Sequence, residues 1–167
     1  MEGRTPRKKS PPRAQRPTES PTLLREFIRT RYALLELNSA YTYGRILLQR
    51  DLPAVAALLS ATAKSADGDA LALGTLLREQ GAPHTVELSL HDTPYRLLED
   101  ADSHAPVVAV RLLNDRIRDE KSLYAHLSAA AERAVTEQAR QALAEAAEHT
   151  KERTAAMEGM RTRLATS

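Results

Sequence analysis

The chain has 167 residues, of which 28% are charged and 4% aromatic, with one Phe and no Trp. This composition favours an all-helical domain over a β-sandwich, which needs many β-branched and aromatic side chains. The absence of cysteine excludes disulfides, thiolate nucleophiles, Cys-ligated zinc and iron–sulfur clusters. We therefore expect a cytoplasmic location. We expect no membrane insertion either, because no apolar run approaches the roughly 20 residues that cross a bilayer.

Residues 1–20 are predicted to be a disordered, basic and proline-rich tail. They carry six basic and two acidic side chains, a net charge of +4, whereas the remaining 147 residues carry 18 basic and 20 acidic side chains, a net charge of −2. With four prolines, the tail cannot bury enough apolar area to offset the entropy of ordering it. Two interpretations stay open: a solubilising extension, or an arm that contacts nucleic acid or another polyanion weakly.

The first two helices are predicted over residues 21–50 and 54–80. Ser20-Pro21 has the residue types of an N-cap and a first helical position. Gly81 and the proline at position 83 form a typical end for the second helix. The triplet Asp67-Gly68-Asp69 favours turns, so a kink or break in the second helix is possible there. The predicted apolar stripe of the first helix comprises Ile28, Tyr32, Leu35, Ser39, Tyr43 and Leu47.

The second pair of helices follows a long connection. Residues 82–101 are predicted to be an extended crossover, which fits a bundle whose two middle helices run parallel. The third helix is predicted from Asp102-Ser103 to about Ala134. The fourth has Thr136 as its cap. Its inward face is rich in small residues and is predicted to consist of Ala139, Ala142, Ala146, His149, Arg153, Ala156 and Met160.

One set of spacings is typical of di-iron carboxylate bundles. Such bundles place an inward Glu on each of two helices and a Glu-x-x-His pair on each of the other two. Glu36 precedes Tyr43 by seven residues on the first helix, and His149 lies on the inward face of the fourth. Over residues 21–165 the chain resembles the ferritin-like, rubrerythrin-like superfamily of four-helix bundles. The resemblance implies an all-α four-helix bundle with a long crossover between helices 2 and 3.

The chain departs from the family pattern at several ligand positions. Counting back from the end of helix 2 places Asp69 where the family has His, with Ala66 at the preceding Glu position. On helix 3, Ile117 takes the Glu position and Glu120 is the nearest carboxylate. On helix 4, Ala146 replaces the Glu that would accompany the histidine. The resemblance therefore implies a degenerate di-iron site.

Two arrangements of the remaining residues are open. In one, Glu36, Asp69, Glu120 and His149 hold a single metal ion, iron or manganese, since carboxylates and an imidazole suit such ions. In the other, no cofactor is bound and His149 hydrogen-bonds Glu36 or Tyr43 within a polar layer of the core. A partner is needed in both cases, because buried ionisable groups must be paired.

The loss of ligands favours a non-catalytic interaction or scaffold module, which would bind an unidentified protein or a second copy of the chain. The alternative is a metal-binding ferritin-like protein with an oxidoreductase or storage role. Metal content separates the two.

Overall fold

Four long helices account for nearly all of the chain that the computed structural model describes, residues 16–82 and 104–167. They are α1 (Pro21–Leu48), α2 (Pro53–Glu79), α3 (Ala105–Arg133) and α4 (Glu137–Ala165). The predicted all-α class is confirmed, and these two ranges contain no strand. No helix within them is long and apolar enough to span a membrane.

The helix ends follow the capping signals of the sequence. Ser20 Oγ accepts a hydrogen bond from the backbone N–H of Leu23 at 3.2 Å, and Thr136 Oγ1 accepts one from Ala139 at 3.2 Å. Beyond α2, Gly81 has a φ of 67°, the left-handed conformation that glycine adopts most readily after a helix. The helix is continuous across Asp67-Gly68-Asp69, so the possible break there does not occur.

Cross-helix contacts fix the relative directions of the four helices. Glu26, near the start of α1, forms a salt bridge with Arg133 at the end of α3, so α1 and α3 are antiparallel. Glu79, at the end of α2, accepts a hydrogen bond from Gln138 at the start of α4, so α2 and α4 are antiparallel too. Since α1–α2 and α3–α4 are joined by short turns, α2 and α3 run in the same direction. The predicted crossover at 82–101 and the predicted start of α3 at 102–103 lie outside the described residues, except for Ala82.

The buried face of α1 differs from the predicted one. Phe27, Leu34, Tyr41 and Leu48 are at most 2% exposed, whereas the predicted stripe, in which Ile28 and Leu35 each lie one position after a buried residue, is only partly buried. One residue corresponds to a rotation of about 100° around the helix. Large apolar residues occupy both members of the pairs 27/28, 34/35 and 47/48, so periodicity alone could not choose between the two faces. The observed rotation leaves Glu36 exposed.

The packed domain begins before α1, at Glu19. This residue was assigned to the tail, but it is only 4% exposed. Its carboxylate accepts hydrogen bonds from the backbone N–H groups of Val135 and Thr136 and from the Thr136 hydroxyl, each at 2.8 Å. Its own N–H donates to Gln80 Oε1 at 2.9 Å. Glu19 thus ties the segment before α1 to the end of α2 and to the turn between α3 and α4. Residues 1–15 lie outside the described ranges.

Candidate functional site

A buried arginine lies at the centre of the bundle's polar interior. Arg153 on α4 is 3% exposed. Its Nε and Nη2 donate to the two carboxylate oxygens of Glu120 on α3, at 2.8 and 3.0 Å. Its Nη1 donates to Oδ2 of Asp69 at 2.7 Å and to the hydroxyl of Ser65 at 2.9 Å, both on α2. A further bond of 3.1 Å from Nη2 reaches Thr150 Oγ1. One guanidinium therefore connects three helices.

Tyr41 connects the remaining helix, α1, to the same cluster. Its hydroxyl donates to Oε1 of Glu120, and both side chains are completely buried. Burial raises the pKa of Tyr41 far above its ordinary value, and the neighbouring Glu120 charge raises it further. The phenol is therefore a hydrogen-bond donor at any physiological pH, matched to the carboxylate that it contacts.

His149 lies at the outer edge of the cluster. Its Nδ1 is 2.7 Å from Oδ1 of Asp69, and since an ionised carboxylate can only accept, the ring donates this bond. The imidazole is 47% exposed, whereas the Asp69 side chain is 5% exposed, so the prediction that His149 lies on the inward face of α4 is wrong. Together with Ser65 and Gly68, these two residues line an open groove of about 500 Å³ between α2 and α4. We call the seven residues from Tyr41 to the groove the polar layer: Tyr41, Ser65, Asp69, Glu120, His149, Thr150 and Arg153.

Helical spacing explains how α2 and α4 supply these groups. Ser65 and Asp69 are four residues apart on α2, so both face α4 and both reach Nη1 of Arg153. On α4, His149 and Thr150 lie four and three residues before Arg153. The same spacing places the ring near the groove and the Thr150 hydroxyl in the interior, where it also donates to the carbonyl of Ala146.

The charges of the polar layer compensate each other in part. Burial lowers the pKa of Arg153, but the hydrogen bonds and charges of Glu120 and Asp69 outweigh this effect and raise it above its ordinary value. Arg153 is thus a permanent cation between two carboxylates. Removing Arg153 would leave two buried carboxylates without their cation, whereas removing either carboxylate would leave Arg153 with one anionic partner in place of two.

The structure brings together three of the four predicted metal ligands. Asp69 and Glu120 share the guanidinium of Arg153, and His149 contacts Asp69. Glu36 does not join them, because the rotation of α1 places it at the surface. The Nδ1 of His149 pairs with Asp69 on α2, in place of the predicted partners Glu36 and Tyr43 on α1.

The donor set does not fit the metal centre that the resemblance implies. Each of the four carboxylate oxygens of Asp69 and Glu120 already accepts a hydrogen bond, three of them from Arg153. A metal ion would have to displace a guanidinium that carries the same sign of charge. Within residues 16–82 and 104–167, no three His, Asp or Glu side chains are placed to hold a metal ion together.

Four members of the polar layer are not predicted as site residues from the sequence: Tyr41, Ser65, Thr150 and Arg153. The sequence predicts Arg153 on the inward face of α4 without a role, although a charged residue on a face made mostly of alanines requires a buried counter-ion. On α1 the family spacing selects Tyr43, whereas the structure places the hydroxyl of Tyr41 in the cluster. The arginine on an apolar face was the signal that could have revealed the network.

Comparisons with known proteins provide no relative for this chain. No family model matches it, and neither the curated proteins nor the solved structures contain a match. The resemblance to ferritin-like bundles therefore depends on the sequence pattern alone, chiefly on the spacing of Glu36 and Tyr43 and on His149.

Proposed function

We propose that the chain is a metal-free, non-catalytic bundle of the ferritin-like type that acts as an interaction or scaffold module. The observation that carries this proposal is the use of all four carboxylate oxygens of Asp69 and Glu120, three of them by Arg153. In a metal-dependent bundle these oxygens would be ligands. Here they hold a guanidinium, which compensates part of the charge of the two carboxylates.

The directions of the helices support the ferritin-like part of the proposal. Because α2 and α3 run the same way, the end of α2 and the start of α3 lie at opposite ends of the bundle. Parallel middle helices are expected of a ferritin-like bundle. The lack of cysteine keeps the cytoplasm as the expected compartment.

Metal content tests the metal-free part. The protein is purified without chelators and without a metal-affinity column, and iron, manganese and zinc are measured per chain. We expect only a small fraction of one ion per chain, also after incubation with Fe²⁺ or Mn²⁺. Stoichiometric metal that is lost in Asp69→Asn and retained in Glu36→Gln would contradict the proposal. It would support the alternative of a metal-binding protein with an oxidoreductase or storage role.

Sedimentation velocity over a wide range of concentrations tests the interaction part. If the module associates with a second copy of itself, the sedimentation coefficient will rise with concentration. A single monomeric species at every concentration would rule out self-association.

A further inference from the structure

We propose that Asp69 and Glu120 form a buried cation site whose occupant, the guanidinium of Arg153, is supplied by the chain itself. An external cation of the same shape should bind there once Arg153 is truncated. This inference depends on the contacts of the polar layer and not on whether the bundle serves as an interaction module.

Two features make this arrangement a cation site and more than a single ion pair. The two carboxylates come from different helices, α2 and α3, and both bind the same planar group. Neither is more than 5% exposed. Two buried anions that face a common position destabilise the bundle strongly when that position holds no positive charge. The site therefore requires a cation, whatever its source.

The groove between α2 and α4 provides a path from solvent to this position. Ser65 and Asp69 both line the groove and both accept hydrogen bonds from Nη1 of Arg153. Truncation of Arg153 to alanine would extend the groove into the space vacated by the side chain. A guanidinium ion entering there could make the same five hydrogen bonds as the arginine head group, since it has the same planar arrangement of donors.

The experiment measures the response of Arg153→Ala to millimolar guanidinium chloride, far below denaturing concentrations. Thermal unfolding is followed by circular dichroism, with sodium chloride and urea as matched additives. Urea has nearly the same shape but no charge. We expect guanidinium alone to raise the thermal midpoint by about 5–10 °C at concentrations well above its Kd. If Arg153→Ala is unfolded at the outset, guanidinium should restore its helical signal.

Arg153→Met is the matched control variant. It removes the same charge but fills the space with an unbranched apolar chain, so guanidinium should leave its thermal midpoint unchanged. Glu120→Gln introduced into Arg153→Ala should abolish most of the response, because two of the expected hydrogen bonds then lose their anionic acceptor. An equal response of Arg153→Ala to sodium chloride or urea, or no response to any additive, would overturn the proposal.

The wild-type protein provides a second test, with Co²⁺ as a coloured probe. While Arg153 occupies the site, no visible absorption from protein-bound Co²⁺ is expected. Stoichiometric Co²⁺ binding that Asp69→Asn abolishes would show that the guanidinium is not the occupant. These outcomes are independent of the sedimentation experiment, because a strictly monomeric protein that responds to guanidinium would rule out self-association and retain the cation site.

Discussion

Arg153 and Glu120 form a two-pronged ion pair in which Nε and Nη2 each donate to a separate oxygen of the carboxylate, at 2.8 and 3.0 Å. Both side chains are almost completely buried. Such a pair contributes less net stability than its geometry suggests, because both charges must leave water. A helix that slid or rotated would separate the two charges inside the core, so we expect the pair to disfavour other alignments of α3 and α4.

The first prediction concerns the loss of one member of this pair. Glu120→Gln should lower the free energy of unfolding by about 1.5–3 kcal/mol, because the hydrogen bonds from Arg153 and Tyr41 lose their charged acceptor while Arg153 keeps Asp69 as an anionic partner. Denaturant unfolding monitored by circular dichroism measures the difference. Glu132→Gln is the control on the same helix, since Glu132 is exposed and its replacement should change stability by less than about 0.5 kcal/mol. Equal effects of the two substitutions would contradict the description of Glu120 as a paired, buried charge.

The second prediction concerns the hydroxyl of Tyr41. Tyr41→Phe keeps the ring in the core but removes a hydrogen bond to a charged acceptor, which should cost about 1.5–3 kcal/mol. A double-mutant cycle with Glu120→Gln isolates the contact, because the cost of removing the hydroxyl should shrink once the carboxylate is gone. Strict additivity of the two substitutions would show that the hydroxyl and the carboxylate do not interact.

The third prediction concerns the pH dependence that Glu19 introduces. Burial raises the pKa of Glu19, but the hydrogen bonds from Val135 and Thr136 and the charge of Arg140 outweigh burial, so the pKa is lowered from 4.5. A carboxyl whose folded pKa lies below its unfolded pKa contributes stability in full above the unfolded value. That stability is lost as the pH falls through the folded pKa.

Glu19→Gln should therefore lower the free energy of unfolding at neutral pH. The difference in this free energy between the variant and the wild type should become smaller as the pH falls below about 4.5. Unfolding free energies measured from about pH 3 to about pH 7 provide the test. If this difference stays constant over the range, the charge of Glu19 does not stabilise the turn between α3 and α4.

The fold could be predicted from sequence where local chemistry decides it. Ser20 and Thr136 cap their helices because their hydroxyls accept backbone hydrogen bonds, and this property depends only on neighbouring residues. The rotation of α1 was not predictable in this way. Leu34 and Leu35 are equally apolar, and the choice between them depends on contacts with α2 and α3.

The site could be predicted only as a set of residue types. Asp69, Glu120 and His149 do meet, but the family spacing suggested a metal between them and pointed to Glu36 as a fourth ligand. The occupant is a side chain of α4, and its reach across the bundle to Asp69 and Glu120 depends on helix packing. A buried cation is recognisable from its position on an apolar face, whereas its partners become known only when the helices are assembled.

The fourth prediction concerns the basic tail. The deletion that tests the tail should remove residues 1–15 only. Glu19 belongs to the packed domain, so its removal would also change the stability of the bundle. The shortened chain should elute from a DNA column at lower salt than the full chain, since five of the six basic residues of the tail are lost. Thermal midpoints of both chains serve as the control for folding and should agree. If both chains elute at the same salt concentration, the tail does not contribute to polyanion binding.

The fifth prediction compares two glycines in helices. A Cβ at Gly44 of α1 would lie 2.6 Å from Cδ1 of Leu112 and 3.1 Å from Cδ1 of Leu59, so Gly44→Ala forces side chains of α3 and α2 to shift. Overpacking should cost about 1–3 kcal/mol, which the gain of about 0.5–1 kcal/mol from replacing glycine within a helix offsets only in part. Gly68→Ala is the matched control, because a Cβ there meets no atom within 4 Å and α2 is continuous through this position. It should stabilise the protein by about 0.5–1 kcal/mol, since alanine loses less conformational entropy than glycine in a helix. Denaturant unfolding of both variants measures the two effects, and destabilisation by Gly68→Ala would show that α2 is not a regular helix at its Asp-Gly-Asp triplet.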